Sequence, residues 1–195
     1  MNVLNCTNNH IERFALDLFA IVKLEADDVC CVLAVANGGI QLGKAVKEMF
    51  DSKYSGIEYA EIVCCRPSSG LKKKHVINAI IRSVFKRMPS SILNVLRVVE
   101  HHWLSRRTSG STEREYRLNS VLPENVQKII IVDDAIDSGH SMLCVYDMIR
   151  HVYPCSDIYT AVFTTTQKQP VFTADFSAYS DTLVRFPWSL DGKYD

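Results

Sequence analysis

Residues 129–142 read IIIVDDAIDSGHSM. A β-branched aliphatic run makes a buried strand, and two adjacent acids, Asp133 and Asp134, stand where it ends. After Ala135 and Ile136 comes a short polar turn, Asp137-Ser138-Gly139-His140-Ser141, and then an apolar-periodic helix. Backbone N–H groups at a helix N-terminus are free to bind a phosphate, and a glycine lets the backbone approach closely. Ser138 and Ser141 add hydroxyl donors. Asp133 and Asp134 can accept hydrogen bonds from two vicinal hydroxyls or orient the waters of Mg²⁺. A phosphate site beside a site for a diol and a divalent cation describes a ribose 5-phosphate. A merely capped helix start would account for Ser138 and Gly139 but not for adjacent acids at a strand end.

A second segment has the same layout. Val35-Ala36-Asn37-Gly38-Gly39 follows a short apolar run over 29–35, bounded by Asp27-Asp28, and precedes a helix over 40–50. Two strand-glycine-helix segments are more informative than one. The elements around them alternate. Asn8 or Asn9 can cap a helix from His10, with Ile11, Phe14, Ala15, Leu18, Phe19 and Val22 at helical spacing. Further strands are expected over 59–65, 115–121, 128–132 and 157–164, with a loop over 133–141, a helix over 141–151 and short strand-like pieces in the tail. The fold class that follows is α/β, a parallel twisted sheet flanked by helices. The stretch 71–104 interrupts the alternation with two consecutive helical patterns separated by Pro89, and reads as a helical insertion or hood within a single domain over 1–195.

The 195-residue length suits one domain with an insertion. Lys plus Arg and Asp plus Glu both number 22, a balance that argues against a dedicated nucleic-acid binder. Lys72-Lys73-Lys74 reads as a solvated face. No apolar run approaches the ~20 residues that span a bilayer, so no membrane partner is expected. Glu12 and Asp17 interrupt the first apolar stretch, which lacks the basic start of an export signal. The 7 cysteines include the adjacent pairs Cys30-Cys31 and Cys64-Cys65. Neighbours on a strand point to opposite faces, so neither pair suits a disulfide. Reduced thiols in a cytoplasmic setting are expected.

The 129–142 segment closely resembles the signature of type I phosphoribosyltransferases: aliphatics, two acids, two aliphatics, Asp-Ser, Gly, any residue, then Ser. Val35 to Gly39 is similar to the pyrophosphate loop of that family. Many members carry Arg or Lys before the glycines, where Asn37 stands here, and Arg66 could substitute for that charge. The resemblance implies a mobile loop at 105–111, SRRTSGS, with Arg106 and Arg107 reaching phosphates. The tail resembles the purine (xanthine/guanine/hypoxanthine) members, with Lys168 at a position for the base and Trp188 covering it; Phe186-Pro187-Trp188 equally suits a hydrophobic latch.

What the resemblance implies is transfer of the 5-phosphoribosyl group from 5-phosphoribosyl pyrophosphate (PRPP) to a base nitrogen, with Mg²⁺ as cofactor. Residues Asp133 to Ser141, Asn37, Gly38 and Gly39 would bind PRPP, with Asp133 and Asp134 also facing the metal. Asp137 is at the family position for accepting the proton of a purine nitrogen. The alternative is a non-catalytic regulator that binds PRPP or a nucleotide on the same fold. A homo-oligomer is left open.

Overall fold

Every residue from 30 to 35 is buried, so this strand needs cover on both of its faces. The computed structural model describes residues 2–25, 27–65, 92, 95, 98, 99, 115–119 and 122–189, and this strand lies inside its sheet. The described strands are β1 (Asn2–Asn5), β2 (Cys30–Ala36), β3 (Ile57–Cys65), β4 (Glu115–Leu118), β5 (Lys128–Ile136), β6 (Asp157–Thr165), β7 (Phe176–Ser180) and β8 (Thr182–Arg185). The described helices are α1 (Asn8–Ile21), α2 (Gly39–Asp51) and α3 (His140–Val152). Six strands form the main sheet in the order β4-β3-β2-β5-β6-β7. All its pairings are parallel except β3 with β4. This is the expected α/β class with one antiparallel strand added at an edge.

Strand alternation divides the interior into two cores. On one face Cys30, Val32, Ile130, Val132, Ala161 and Phe163 pack with Phe14 and Leu18 of α1 and Leu42, Val46 and Phe50 of α2. On the other, Cys31, Leu33, Ile129, Ile131 and Val162 pack with Met142, Val145 and Ile149 of α3. Cys30 and Cys31 thus face opposite cores, as adjacent strand residues must, and all seven cysteines are free thiols. Among the described residues no helix is long and apolar enough to cross a membrane.

Both chain ends fold back together. β1 and β8 form a separate two-stranded parallel sheet with Asn2 opposite Thr182 and Asn5 opposite Arg185. The buried Arg185 guanidinium donates to Asn5 Oδ1 at 2.6 Å. Nothing local in 2–5 marks a strand; its partner is some 180 residues away.

Several boundaries differ from expectation by one to four residues. Thr7, not Asn8 or Asn9, caps α1, because its N–H donates to His10 Nδ1 at 3.2 Å and so satisfies a helix-end donor. β5 does not end at Val132 but continues through the acids to Ile136, because Asp133 and Ala135 remain paired with Val162 and Thr164 of β6. β4 stops at Leu118. Of the expected insertion over 71–104, Ile92, Val95, Val98 and Val99 are helical, and the rest lies outside the described residues.

Phe163 is fully buried and is touched by three other rings, Phe14 at 5.7 Å, Tyr179 at 5.2 Å and Phe186 at 5.2 Å between centroids. It joins β6 to α1, β7 and the segment after β8. Phe163→Ala should therefore lower the unfolding free energy by about 3–5 kcal/mol in denaturant titrations, and Phe163→Leu by much less.

Candidate functional site

Chain order in the sheet reverses between β2 and β5: from β2 the chain moves outward through β3, then returns to β5 on the other side and continues to β6. A parallel sheet opens a crevice at such a switch point, beyond the carboxyl ends of the two strands. Ala34 pairs with Val132, so both glycine turns leave the sheet side by side at the same end. The first turn packs directly against β5 where the acids stand. A Cβ on Gly38 would fall inside the Asp134 carboxylate, and one on Gly39 would lie 2.5 Å from the Val132 carbonyl oxygen and 2.9 Å from Asp133 Cα. Glycine is required at both positions by this approach, not by an unusual φ. The Ala36–Asn37 peptide is cis, and Asn37 is exposed.

The acid pair is electrostatically costly as it stands. Burial pushes the Asp133 carboxyl well above the usual carboxylate range, and the neighbouring Asp134 charge pushes it further. Burial also raises Asp134, against hydrogen bonds that favour its charged form. The Asp134 N–H donates to Asp133 Oδ1 at 2.8 Å. Two crowded carboxylates at the mouth of a crevice suit hydroxyl donors or a hard cation that completes its shell with water and phosphate oxygens. Their chemistry therefore fits Mg²⁺. Among the described residues no group of three or more His, Cys, Asp or Glu side chains is placed to hold a metal by itself.

Beyond the acids, Gly139 takes φ +85° and starts α3, which no side chain caps and whose first turn holds no acid. Its first N–H groups are thus available to an anion, flanked by the partly buried Ser138, His140 and Ser141. Ala135 is partly buried, and Ile136 is in the core. Asp137 is exposed, and its Oδ1 accepts a hydrogen bond from the Thr166 hydroxyl. The segment after β6 lies across this turn: Val171 N–H donates to Ser138 O at 2.9 Å, and a Cβ on Gly139 would come within 2.7 Å of Phe172 N. A clamp anchors that segment to the buried Thr160, with the exposed Asp175 accepting at Oδ2 from Thr160 N at 2.8 Å and Thr160 Oγ1 at 2.7 Å.

The crevice thus brings together Asp133, Asp134, Gly38 and Gly39, with the Asp137–Ser141 turn continuing from the same strand. Lys168 is exposed, three residues past the last residue of β6. Trp188 stacks on the buried Phe186, centroids 4.7 Å apart and planes at 17°. Of the two roles open for this segment, that packing is the one a latch needs. Arg66, Arg106 and Arg107 lie outside the described residues. Thr166 and Phe172 escaped the sequence reading. A Thr-Thr-Thr run at a strand end was the one available signal for Thr166; Phe172 carried none, because its contact with the turn depends on the path of the chain after β6.

A family model described as the phosphoribosyl transferase domain matches residues 9–190. The chain belongs to this family. The fold is similar to that of the xanthine-guanine-hypoxanthine phosphoribosyltransferase of Helicobacter pylori, with TM-score 0.60 and 13% identity over 97% of this chain and 95% of that one. It is similar also to a purine phosphoribosyltransferase of Pyrococcus horikoshii, with TM-score 0.57 and 12% identity over 100% and 97% of the two chains. No curated protein matches by sequence.

The acid pair sets a pH dependence. A carboxyl whose folded pKa is raised adds stability while protonated, at low pH, and that stability is lost as pH rises through the folded value. Asp133→Asn stays neutral and keeps an oxygen to accept the Asp134 N–H. Without divalent cations it should raise Tm at pH 8 by about 2–4 °C, the shift that ~1 kcal/mol makes in a domain of this size. The gain should shrink as pH falls toward 4, read by thermal unfolding at both pH values.

Proposed function

We propose that the protein is a phosphoribosyltransferase that moves the 5-phosphoribosyl group of PRPP to a base nitrogen, with a purine as the acceptor class, and releases pyrophosphate. The observation that carries this is the contact of the Gly38–Gly39 turn with the acid-bearing end of β5 at the switch point, where the Asp134 carboxylate fills the space that Gly38 leaves. One turn suits a 5-phosphate and the other a pyrophosphate, and the acids between them suit the ribose that joins the two. The purine acceptor is supported by the names of the Helicobacter and Pyrococcus enzymes whose fold the chain shares.

In this mechanism the 5-phosphate rests on the N–H groups and hydroxyls of Ser138 to Ser141. Asp133 and Asp134 accept hydrogen bonds from the ribose hydroxyls and face Mg²⁺, which would balance the charge of the departing pyrophosphate. Asn37, Gly38 and Gly39 present backbone donors to that pyrophosphate, with Arg66, Arg106 and Arg107 as the cations that reach it. Asp137 takes the proton from the attacking base nitrogen, and Lys168 contacts the base. A cytoplasmic, reducing setting suits the seven free thiols. The neutral, exposed Asn37 favours one second reading, a PRPP- or nucleotide-binding regulator without turnover, because a pyrophosphate loop gains from a cation there.

Pyrophosphate release from PRPP and Mg²⁺ with a panel of purine and other bases tests the proposal. Turnover with a purine is expected. Binding of PRPP without release from any base would overturn the enzyme and leave the regulator. Asp137→Asn should lower kcat by on the order of 10²–10⁴ while PRPP affinity by calorimetry changes little. Gly139→Val should abolish PRPP binding. The φ of +85° and the contact with Phe172 mean that it also costs stability, so a thermal-unfolding control accompanies it.

A further inference from the structure

Thr166 stands one residue past β6 and is buried, 6% exposed. Its backbone N–H donates to the Ile136 carbonyl at 2.9 Å, and the preceding Thr165 pairs with Ile136 in the sheet ladder. The position of its side chain is therefore set by the sheet itself, and a β-branched residue has few χ1 choices. Its hydroxyl meets Asp137 Oδ1, while the Ile136 carbonyl is a more distant acceptor at 3.4 Å. A hydroxyl has one proton to give. The carboxylate is the closer and the charged acceptor, so it takes that proton in a charge-assisted bond.

Asp137 has the opposite character. It is exposed, lies beyond the last residue of β5 and sits in a turn. An exposed aspartate samples several rotamers, and only some of them aim an oxygen at the crevice. We infer that Thr166 is a positioning residue for Asp137. Its hydroxyl holds Oδ1 and leaves Oδ2 as the oxygen that accepts the proton of the acceptor base. Threonine does no chemistry here; it converts a mobile carboxylate into one of defined direction, anchored on the far side to a buried strand end. The inference rests on the proposed role of Asp137 and goes beyond it, since the sequence motif that marks Asp137 contains nothing of β6.

A double-mutant cycle tests it, with kcat and the KM for PRPP measured on the base that wild type uses best. Thr166→Val keeps shape and removes the hydroxyl. It should lower kcat on the order of 10-fold and leave the KM for PRPP within about twofold, because misdirection of a proton acceptor acts on the reacting step. Thr166→Ser restores the hydroxyl and should recover most of kcat. In an Asp137→Asn background, Thr166→Val should cost nothing further. Equal losses in both backgrounds, a rise in KM with kcat unchanged, or a Thr166→Val enzyme as fast as wild type would each overturn the inference while leaving the transferase standing. A wild type silent with every base overturns the transferase, and the positioning role with it. Thr166→Ala takes the place of valine in the same cycle if thermal unfolding shows that the valine variant does not fold.

Discussion

The parallel pairing of β2 with β5 is the constraint on which the rest depends. It sends two glycine turns out of one end of the sheet as neighbours, and it brings the Asp134 carboxylate to the position a side chain at Gly38 would occupy. An antiparallel pairing would put the turns at opposite ends, and no single small molecule could touch both. A glycine pair without the acids would bind an anion and nothing more. The geometry is specific because a strand ladder fixes register, and one residue of slip would turn Asp133 and Asp134 to exchanged faces.

The site is held at a cost that binding can offset. Burial raises both acids, and the ligand-free protein carries that penalty at neutral pH. A cation or a pair of ribose hydroxyls would relieve it, so affinity and stability are linked at this point. The rigid parts lie behind the site: β5 buried from Ile129 to Asp133, the three rings around Phe163, and the clamp between Asp175 and Thr160. That clamp anchors the 166–175 segment, which lays Phe172 against Gly139 and carries Thr166 to Asp137.

Much of this was legible in the order of residues. IIIVDD followed by DSGHS marks a strand, an acid pair and a glycine turn because each needs a local composition: β-branched residues for the strand, glycine for a positive φ, hydroxyls beside free N–H groups. The second glycine turn and the α/β alternation are local in the same sense. Boundaries were less legible. The strand expected to stop at Val132 continues to Ile136 because β6 supplies partners that the local sequence does not announce. β1 was missed because a four-residue strand has no periodicity to detect and gains its partner from the chain's other end.

By itself, then, the sequence determined the class of fold, the two glycine turns and the acid pair, since propensity, patterning and turn chemistry act over a few residues. Only the tertiary structure decided that the Gly38–Gly39 turn meets the acids of β5, that Trp188 lies on Phe186, and that Asp137 is held by Thr166 just past the neighbouring strand. Those are contacts between residues 29 to nearly 100 positions apart or, for Trp188, a ring direction that packing selects. Strand order and register set such contacts, and both are settled by how the whole core closes.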